Sequence, residues 1–175
     1  MARDEIAKRY ASAIYNIAKS SDSINEVREV LNIFMENYEE EEEFRKILED
    51  PLKKFPEKEK FLEKSFDHFT KESLGIVKYI VRKQRLSLVG DIKEYFLKLY
   101  YEENNKLPIT AIFAKELSEE QRELLIEKLE KKYGKKIVLN LEVDKEIIGG
   151  GILKIGNEVI NGSIKNQIEE MKKNF

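Results

Sequence analysis

Apolar residues recur at the spacing of an α-helix from residue 4 to about residue 105, with turn-forming residues between the segments. This pattern predicts an all-helical first half with six helices. The first helix is expected at about 4–20, and the second begins at a Ser23–Glu26 capping box. The third follows the acidic run Glu39–Glu43 and ends before Pro51, and the fourth begins at Pro56. The fifth and sixth are expected at about 71–83 and about 86–104. Because acidic residues favour the first turn of a helix, we interpret the glutamate run as a solvated helix start rather than a binding tail.

The hydrophobic period changes from helical spacing to strict alternation around Pro108. We therefore predict an α+β protein with a domain boundary here: a six-helix bundle over residues 1–105 and a small β/α domain over residues 106–175. The second domain is expected to have the order β-α-β-β-β-α, with both helices on one face of a small sheet. The expected elements begin with a strand Leu107–Ala114 and a helix from a Ser118–Gln121 capping box to Gly134. A strand Lys136–Val143 and a hairpin that turns at Gly156-Asn157 follow. The last helix is capped by Ser163 and has Ile164, Ile168, Met171 and Phe175 on one face.

Composition removes several classes of function. The 175 residues include no cysteine, which excludes disulfides, thiolate metal sites and a cysteine nucleophile. The 32 basic and 34 acidic side chains are interspersed, so we expect no nucleic-acid partner. No apolar run approaches the roughly 20 residues of a membrane span, and the amphipathic start does not resemble a targeting peptide. We therefore expect no direct membrane insertion.

A glycine cluster, Gly149–Gly151, is the candidate phosphate loop. Gly151 and Gly156 have the spacing of a Walker A motif, but Asn157-Glu158 follow where phosphate chemistry needs lysine and a hydroxyl. The cluster also precedes a predicted strand and not a helix N-terminus. We prefer the interpretation that these glycines permit a bend or a close backbone approach.

The remaining candidate sites are weaker. His68 is the single histidine, so a metal site would rest on one imidazole and carboxylates, and a structural role is favoured. Asn161-Gly162-Ser163 matches a glycosylation acceptor, but we interpret it as a turn followed by a helix cap. The sequence shows no catalytic constellation, so we expect neither a metal nor another cofactor.

The first and fifth predicted helices carry more apolar surface than one neighbour covers. Two adjacent stripes on the first helix span roughly 160° of its circumference. These stripes are Ile6, Tyr10, Ala13 and Ile17, and Ala7, Ala11, Ile14 and Ala18. The fifth helix has Leu74, Val77 and Val81 in one row and Ile76, Tyr79 and Ile80 on the other side. Helical geometry leaves two interpretations equal: helices buried within their own bundle, or a groove for a partner helix.

Two segments resemble one family. Arg9–Tyr15 is similar to the RYA-x-A-x-Y opening of the delta subunit of bacterial F-type ATP synthases, the homologue of the mitochondrial oligomycin-sensitivity-conferring protein. Val143–Ile164 resembles the family's C-terminal signature, VD-x-x-x-x-GG followed by a hydrophobic run and G-D-x-V-I-D-G-S. The chain departs from the family pattern at four positions. Asn157 and Asn161 replace the usual aspartates, and Gly75 and Gln84 replace an asparagine and a glycine.

The resemblance implies a non-catalytic peripheral-stalk (stator) subunit, which links the catalytic headpiece to the b-subunit stalk so that rotor torque drives ATP synthesis. It implies a position at the cytoplasmic face of the bacterial cell membrane. In this family the N-terminal bundle binds the N-terminal helix of an alpha subunit between helices one and five, and the C-terminal domain meets the C-terminal ends of the b subunits. A free-standing helix-binding adaptor, or a solitary enzyme, remains an alternative.

Site residues follow from the resemblance and from helical geometry. The resemblance implies Tyr10, Ala13 and Tyr79 as groove contacts, and helical geometry adds Ile6, Ile76 and Ile80. The signature implies a set of structural turn residues: Gly149, Gly150, Gly156, Asn157, Asn161 and Gly162.

Overall fold

The computed structural model describes residues 3–173. The described chain is α+β, with eight α-helices and a four-stranded mixed sheet. It divides into two compact units between Tyr100 and Tyr101. The predicted apolar position Phe175 lies outside the described residues. Among those residues, no helix has the length and apolar character that a membrane span requires.

A helix lies at each of the six positions predicted for the first half of the chain. The helices are α1 (Arg3–Ser20), α2 (Ile24–Glu40), α3 (Glu42–Glu49), α4 (Phe55–Ser65), α5 (Lys71–Arg82) and α6 (Val89–Glu103), and a short 3₁₀ turn (Leu86–Leu88) precedes α6. The proline at the start of α4 has the position that its fixed φ angle favours. Helix α2 packs against α1, α3 and α5.

Three phenylalanines from different segments form the centre of this unit's core. The ring centroids of Phe34 and Phe44 lie 5.5 Å apart, and Phe66 lies 6.2 Å from Phe34 and 6.1 Å from Phe44. All three side chains are buried. Burying a side chain of this size contributes about 1.5–3 kcal/mol, so this cluster is a principal source of the unit's stability.

The capping box predicted at the start of α2 is wrong. Ser23 precedes the helix, but its side chain makes no capping hydrogen bond. The carboxylate of Glu26 instead accepts hydrogen bonds from the backbone N–H of Thr70 (2.6 Å) and from its hydroxyl (3.0 Å). The backbone N–H bond is the main cause that lowers the pKa of Glu26. Glu26 therefore stabilises the N-terminus of α5, where a negative charge is favoured, and is not available to its own helix.

The second unit follows the predicted element order. Its elements are β1 (Lys106–Phe113), α7 (Glu119–Tyr133), β2 (Lys136–Val143), β3 (Gly151–Ile155), β4 (Glu158–Asn161) and α8 (Ile164–Lys173). The strand order is β2-β1-β3-β4, with β1 parallel to β2 and antiparallel to β3. The capping box predicted at Ser118 is confirmed, as is the left-handed Gly134 that ends α7 at φ 65°. Because β1 and β2 are parallel, α7 is the crossover helix between them.

The last helix forms where predicted, but its apolar face is not buried. Ile164, Ile168 and Met171 are all about half exposed or more. The Ser163 hydroxyl accepts from the backbone N–H of Asn166 (3.3 Å), which confirms the predicted cap. Helix α7 packs against β2, whereas α8 leaves an apolar stripe in contact with solvent. The described residues therefore leave much of the apolar face of α8 uncovered.

Candidate functional site: a groove between two helices

The structure separates the two apolar stripes of α1. Ala7, Ala11, Ile14 and Ala18 are buried in the core of the unit. In the other stripe, Ala13 and Ile17 are exposed and Ile6 and Tyr10 are half-buried. One stripe therefore holds α1 in the unit, and the second faces an open surface.

This second stripe forms one wall of a groove, and α5 forms the other. The rings of Tyr10 and Tyr79 face each other with centroids 6.0 Å apart. The cavity has a volume of about 440 Å³. Its lining residues are Ile6, Arg9, Tyr10, Ala13, Ile14, Ile17, Ile76, Tyr79 and Arg85. The small side chain of Ala13 leaves the α1 wall low at the middle of the groove.

Five of the six predicted groove residues lie at this cavity, and Ile80 does not. Ile80 is 1% exposed, whereas Tyr79 is 50% exposed. At 3.6 residues per turn, Ile80 lies about 40° further into the buried arc of α5 than Ile76, which lines the groove from its edge. Ile80 is therefore a core residue that packs beside Val77.

Four lining residues were not predicted as site residues. Ile17 belongs to the same stripe as Tyr10 and Ala13, so the helical period already contains the signal for it. Ile14 is shared between the core and the groove floor. The two arginines, Arg9 and Arg85, carry no signal in the apolar pattern. Arg85 reaches the groove because Gln84 adopts a positive φ of 54° in the turn that follows α5.

The glycine cluster forms a backbone bend that is closed by hydrogen bonds. Gly162 N–H donates to the carbonyl of Gly151 (2.9 Å), and Ile164 N–H donates to the carbonyl of Gly149 (3.0 Å). Gly150 has a φ of 79°, and a Cβ there would overlap the carbonyl oxygen of Gly162. Glycine is required at this position by both conformation and space. The carbonyl groups of the bend therefore hold the start of α8 by accepting from its backbone N–H groups.

Two asparagines of the signature lie in turns. Asn157 follows Gly156, whose φ is 56°, in the tight connection between β3 and β4. The side-chain oxygen of Asn161 accepts from the backbone N–H of Ser163 (3.1 Å), and its carbonyl accepts from the side chain of Asn166 (3.1 Å). Asparagine forms such turns as aspartate does, so the departures from the family pattern are compatible with this geometry.

His68 lies on the surface of the first unit. Its ring is exposed, with Nδ1 3.6 Å from a carboxylate oxygen of Asp67 and its centroid 4.3 Å from that of Phe69. Within residues 3–173, no group of three or more histidine, aspartate or glutamate side chains could hold a metal ion.

Fold and groove together define an α+β protein whose candidate site is a largely apolar groove between two helices. Comparison with known proteins supports a specific family. The family model described as "ATP synthase delta (OSCP) subunit" matches residues 6–175. The chain belongs to this family, whose members are non-catalytic subunits of the F-type ATP synthase.

Individual relatives cover nearly the whole chain. "ATP synthase subunit delta, sodium ion specific" of Ilyobacter tartaricus is 45% identical over 97% of both chains. The protein of the same name from Propionigenium modestum is 44% identical over 97% of both. "ATP synthase subunit delta" of Fusobacterium nucleatum is 38% identical over 99% of both. A chain in the cryo-EM structure of the Toxoplasma gondii mitochondrial ATP synthase hexamer shares the fold, with a TM-score of 0.73, 20% identity and 96% coverage of both chains.

Proposed function

We propose that this chain is the stator subunit that ties the catalytic headpiece of a bacterial F-type ATP synthase to the b-subunit stalk, at the cytoplasmic face of the cell membrane. The observation that carries this proposal is the family match over residues 6–175. It is supported by a groove in the part of the chain where the family resemblance implies a partner. In this role the chain resists torque through its contacts and performs no chemistry.

The first partner is the N-terminal helix of an alpha subunit, which lies in the groove between α1 and α5. Residues 1–105 act as a six-helix bundle for this purpose. An amphipathic helix buries apolar side chains at i, i+3, i+4 and i+7 in such a groove. Tyr10 and Tyr79 flank the helix, and Ala13 allows its backbone to come close. Ile6 and Ile76 complete the apolar contact surface.

The second partners are the C-terminal ends of the b subunits, which bind residues 106–175. The exposed apolar face of α8 supports this proposal, because Ile164, Ile168 and Met171 would be covered by a partner helix. The turn residues of the signature hold the first turn of α8 against the sheet. A free-standing adaptor would need a groove alone, whereas the family match continues through this second unit.

The groove is tested by titrating the full chain into a fluorescent peptide that contains the N-terminal residues of the alpha subunit from the same synthase. Ala13→Trp should abolish saturable binding, because a large ring fills the middle of the groove. Ser12→Trp is the matched control, since Ser12 is an exposed neighbour outside the lining. Equal melting temperatures show that both variants fold. Binding by Ala13→Trp at the wild-type affinity, or no binding by the wild type, would contradict the proposal.

A further inference from the structure

Three basic side chains lie beside the groove. Arg9 and Arg85 are both part of its lining. The Nζ of Lys83 lies 5.4 Å from the ring centroid of Tyr79, which adds a third cation beside the same wall. None of the described lining residues is acidic. The groove therefore favours a partner that carries negative charge.

Contacts of α1 establish at which end of the groove Arg85 lies. The guanidinium of Arg3 donates to the carbonyl of Ser87 (2.6 Å) and to the carboxylate of Asp91 (2.8 Å). The N-terminus of α1 thus lies beside the segment that follows Arg85. Since Tyr10 faces Tyr79 further along, α1 and α5 run antiparallel, and Ile17 lies at the opposite end from Arg85.

Two acidic residues near this end, Asp4 and Asp91, are engaged with other side chains. Asp4 accepts from Lys8 (2.7 Å) and from the Tyr95 hydroxyl, and both hydrogen bonds lower its pKa. Asp91 pairs with Arg3. Arg85 is exposed and takes part in none of the ion pairs found among residues 3–173. Its guanidinium is available to an anionic group brought in by a partner.

We propose that the helix bound in this groove carries a carboxylate side chain beside its apolar stripe, and that this carboxylate pairs with Arg85 at the end where α1 begins. The inference rests on the proposed function and deepens it by specifying partner charge and direction. Arg9 and Lys83 add to the local positive potential. Arginine binds a carboxylate with two parallel hydrogen bonds, and the apolar walls reduce screening by solvent. The ion pair sets the direction of the helix, while the apolar contacts supply most of the affinity.

The charge is tested with the full chain and the same fluorescent alpha-subunit peptide. Arg85→Ala should weaken binding about 3- to 10-fold at low salt, and Arg85→Glu should weaken it more. The difference from wild type should shrink at about 0.5 M salt, because salt screens the pair. Arg82→Ala is the matched control: this exposed arginine of α5 lies over the Phe55 ring, 5.8 Å from its centroid, and outside the groove. It should bind as wild type does.

A double-mutant cycle identifies the carboxylate. Each acidic residue of the peptide is replaced in turn by its amide, and one replacement should have no further effect once Arg85 is alanine. If wild type binds and Arg85→Glu binds equally well at low salt, the charge inference is wrong while the proposed function stands. If wild type does not bind the peptide, the proposed function itself fails.

Discussion

Replacing Tyr79 with alanine should weaken binding of the alpha-subunit helix by the folded chain, beyond any loss of fold stability. In the free chain this side chain is 50% exposed. A tyrosine buries about 150–250 Å² when covered, so about 100 Å² remains for a partner to bury. At about 25 cal/mol per Å², this area is worth at most about 2.5 kcal/mol. Ordering the side chain reduces that value, which leaves about 2 kcal/mol, or roughly a 30-fold loss of affinity.

The free chain also loses stability, because the buried half of Tyr79 is worth at most about 2.5 kcal/mol by the same arithmetic. Its tilted ring pair with Tyr10 adds about 0.5–1.5 kcal/mol. Ile80→Ala is the matched control on the next residue, which is 1% exposed. That variant should lose about 2–5 kcal/mol of unfolding free energy through a core cavity, and its folded fraction should bind normally.

Urea unfolding and peptide titration on the same preparations measure both quantities. The expected result is that the folded fraction of Tyr79→Ala loses affinity, whereas Ile80→Ala loses stability and its folded fraction keeps its affinity. If Tyr79→Ala lowers stability as much as Ile80→Ala and its folded fraction binds with unchanged affinity, Tyr79 is a core residue and the groove is not a binding site.

Four further changes should have distinct effects. Glu26→Gln should destabilise the chain by about 1 kcal/mol at neutral pH, because Thr70 loses a charged acceptor at the start of α5. Since folding lowers the pKa of Glu26, this difference in stability should vanish as the pH falls through the pKa of the folded state. Urea unfolding at about pH 7 and about pH 3 would show the change. Gly150→Ala should cost at least about 2 kcal/mol through strain and overlap, whereas Gly75→Ala, in an open position within α5, should stabilise by about 0.5–1 kcal/mol in thermal melts. Residues 1–105 alone should give a cooperative helical melt by circular dichroism and keep their affinity for the peptide.

Each of these has a clear contrary outcome. A difference between wild type and Glu26→Gln that persists unchanged in acid would show that its carboxylate is not the stabilising group. Equal stability of the two glycine variants would contradict the described bend. A truncated chain that fails to fold would show that the first unit depends on the second.

Local sequence signals predicted most of the secondary structure. Ser118 and Gly134 delimit α7 as predicted, because a capping box and a left-handed glycine act through contacts within a few residues. The same motif at Ser23 failed for a tertiary reason. Glu26 finds donors at Thr70, which is distant in sequence, and these outcompete the local cap. No short-range pattern contains that information.

The groove was predictable on one wall and less so on the other. The stripe containing Tyr10 and Ala13 follows from helical periodicity, but the sequence could not decide whether it faced the core. On α5, apolar residues surround most of the helix, so periodicity did not separate Ile80 from Ile76. Arg85 depends on the positive φ of Gln84, which directs the chain after α5 and leaves no mark in the hydrophobic pattern.

The stator role is tested most directly by reconstitution. An F-type ATP synthase from the same source is depleted of this subunit, and ATP-driven ion pumping into membrane vesicles is measured after the chain is added back. Wild type and Ser12→Trp should restore pumping, and Ala13→Trp should not, although all three fold equally well. Full pumping without the chain, or equal restoration by Ala13→Trp, would contradict the assignment of this groove to the stator.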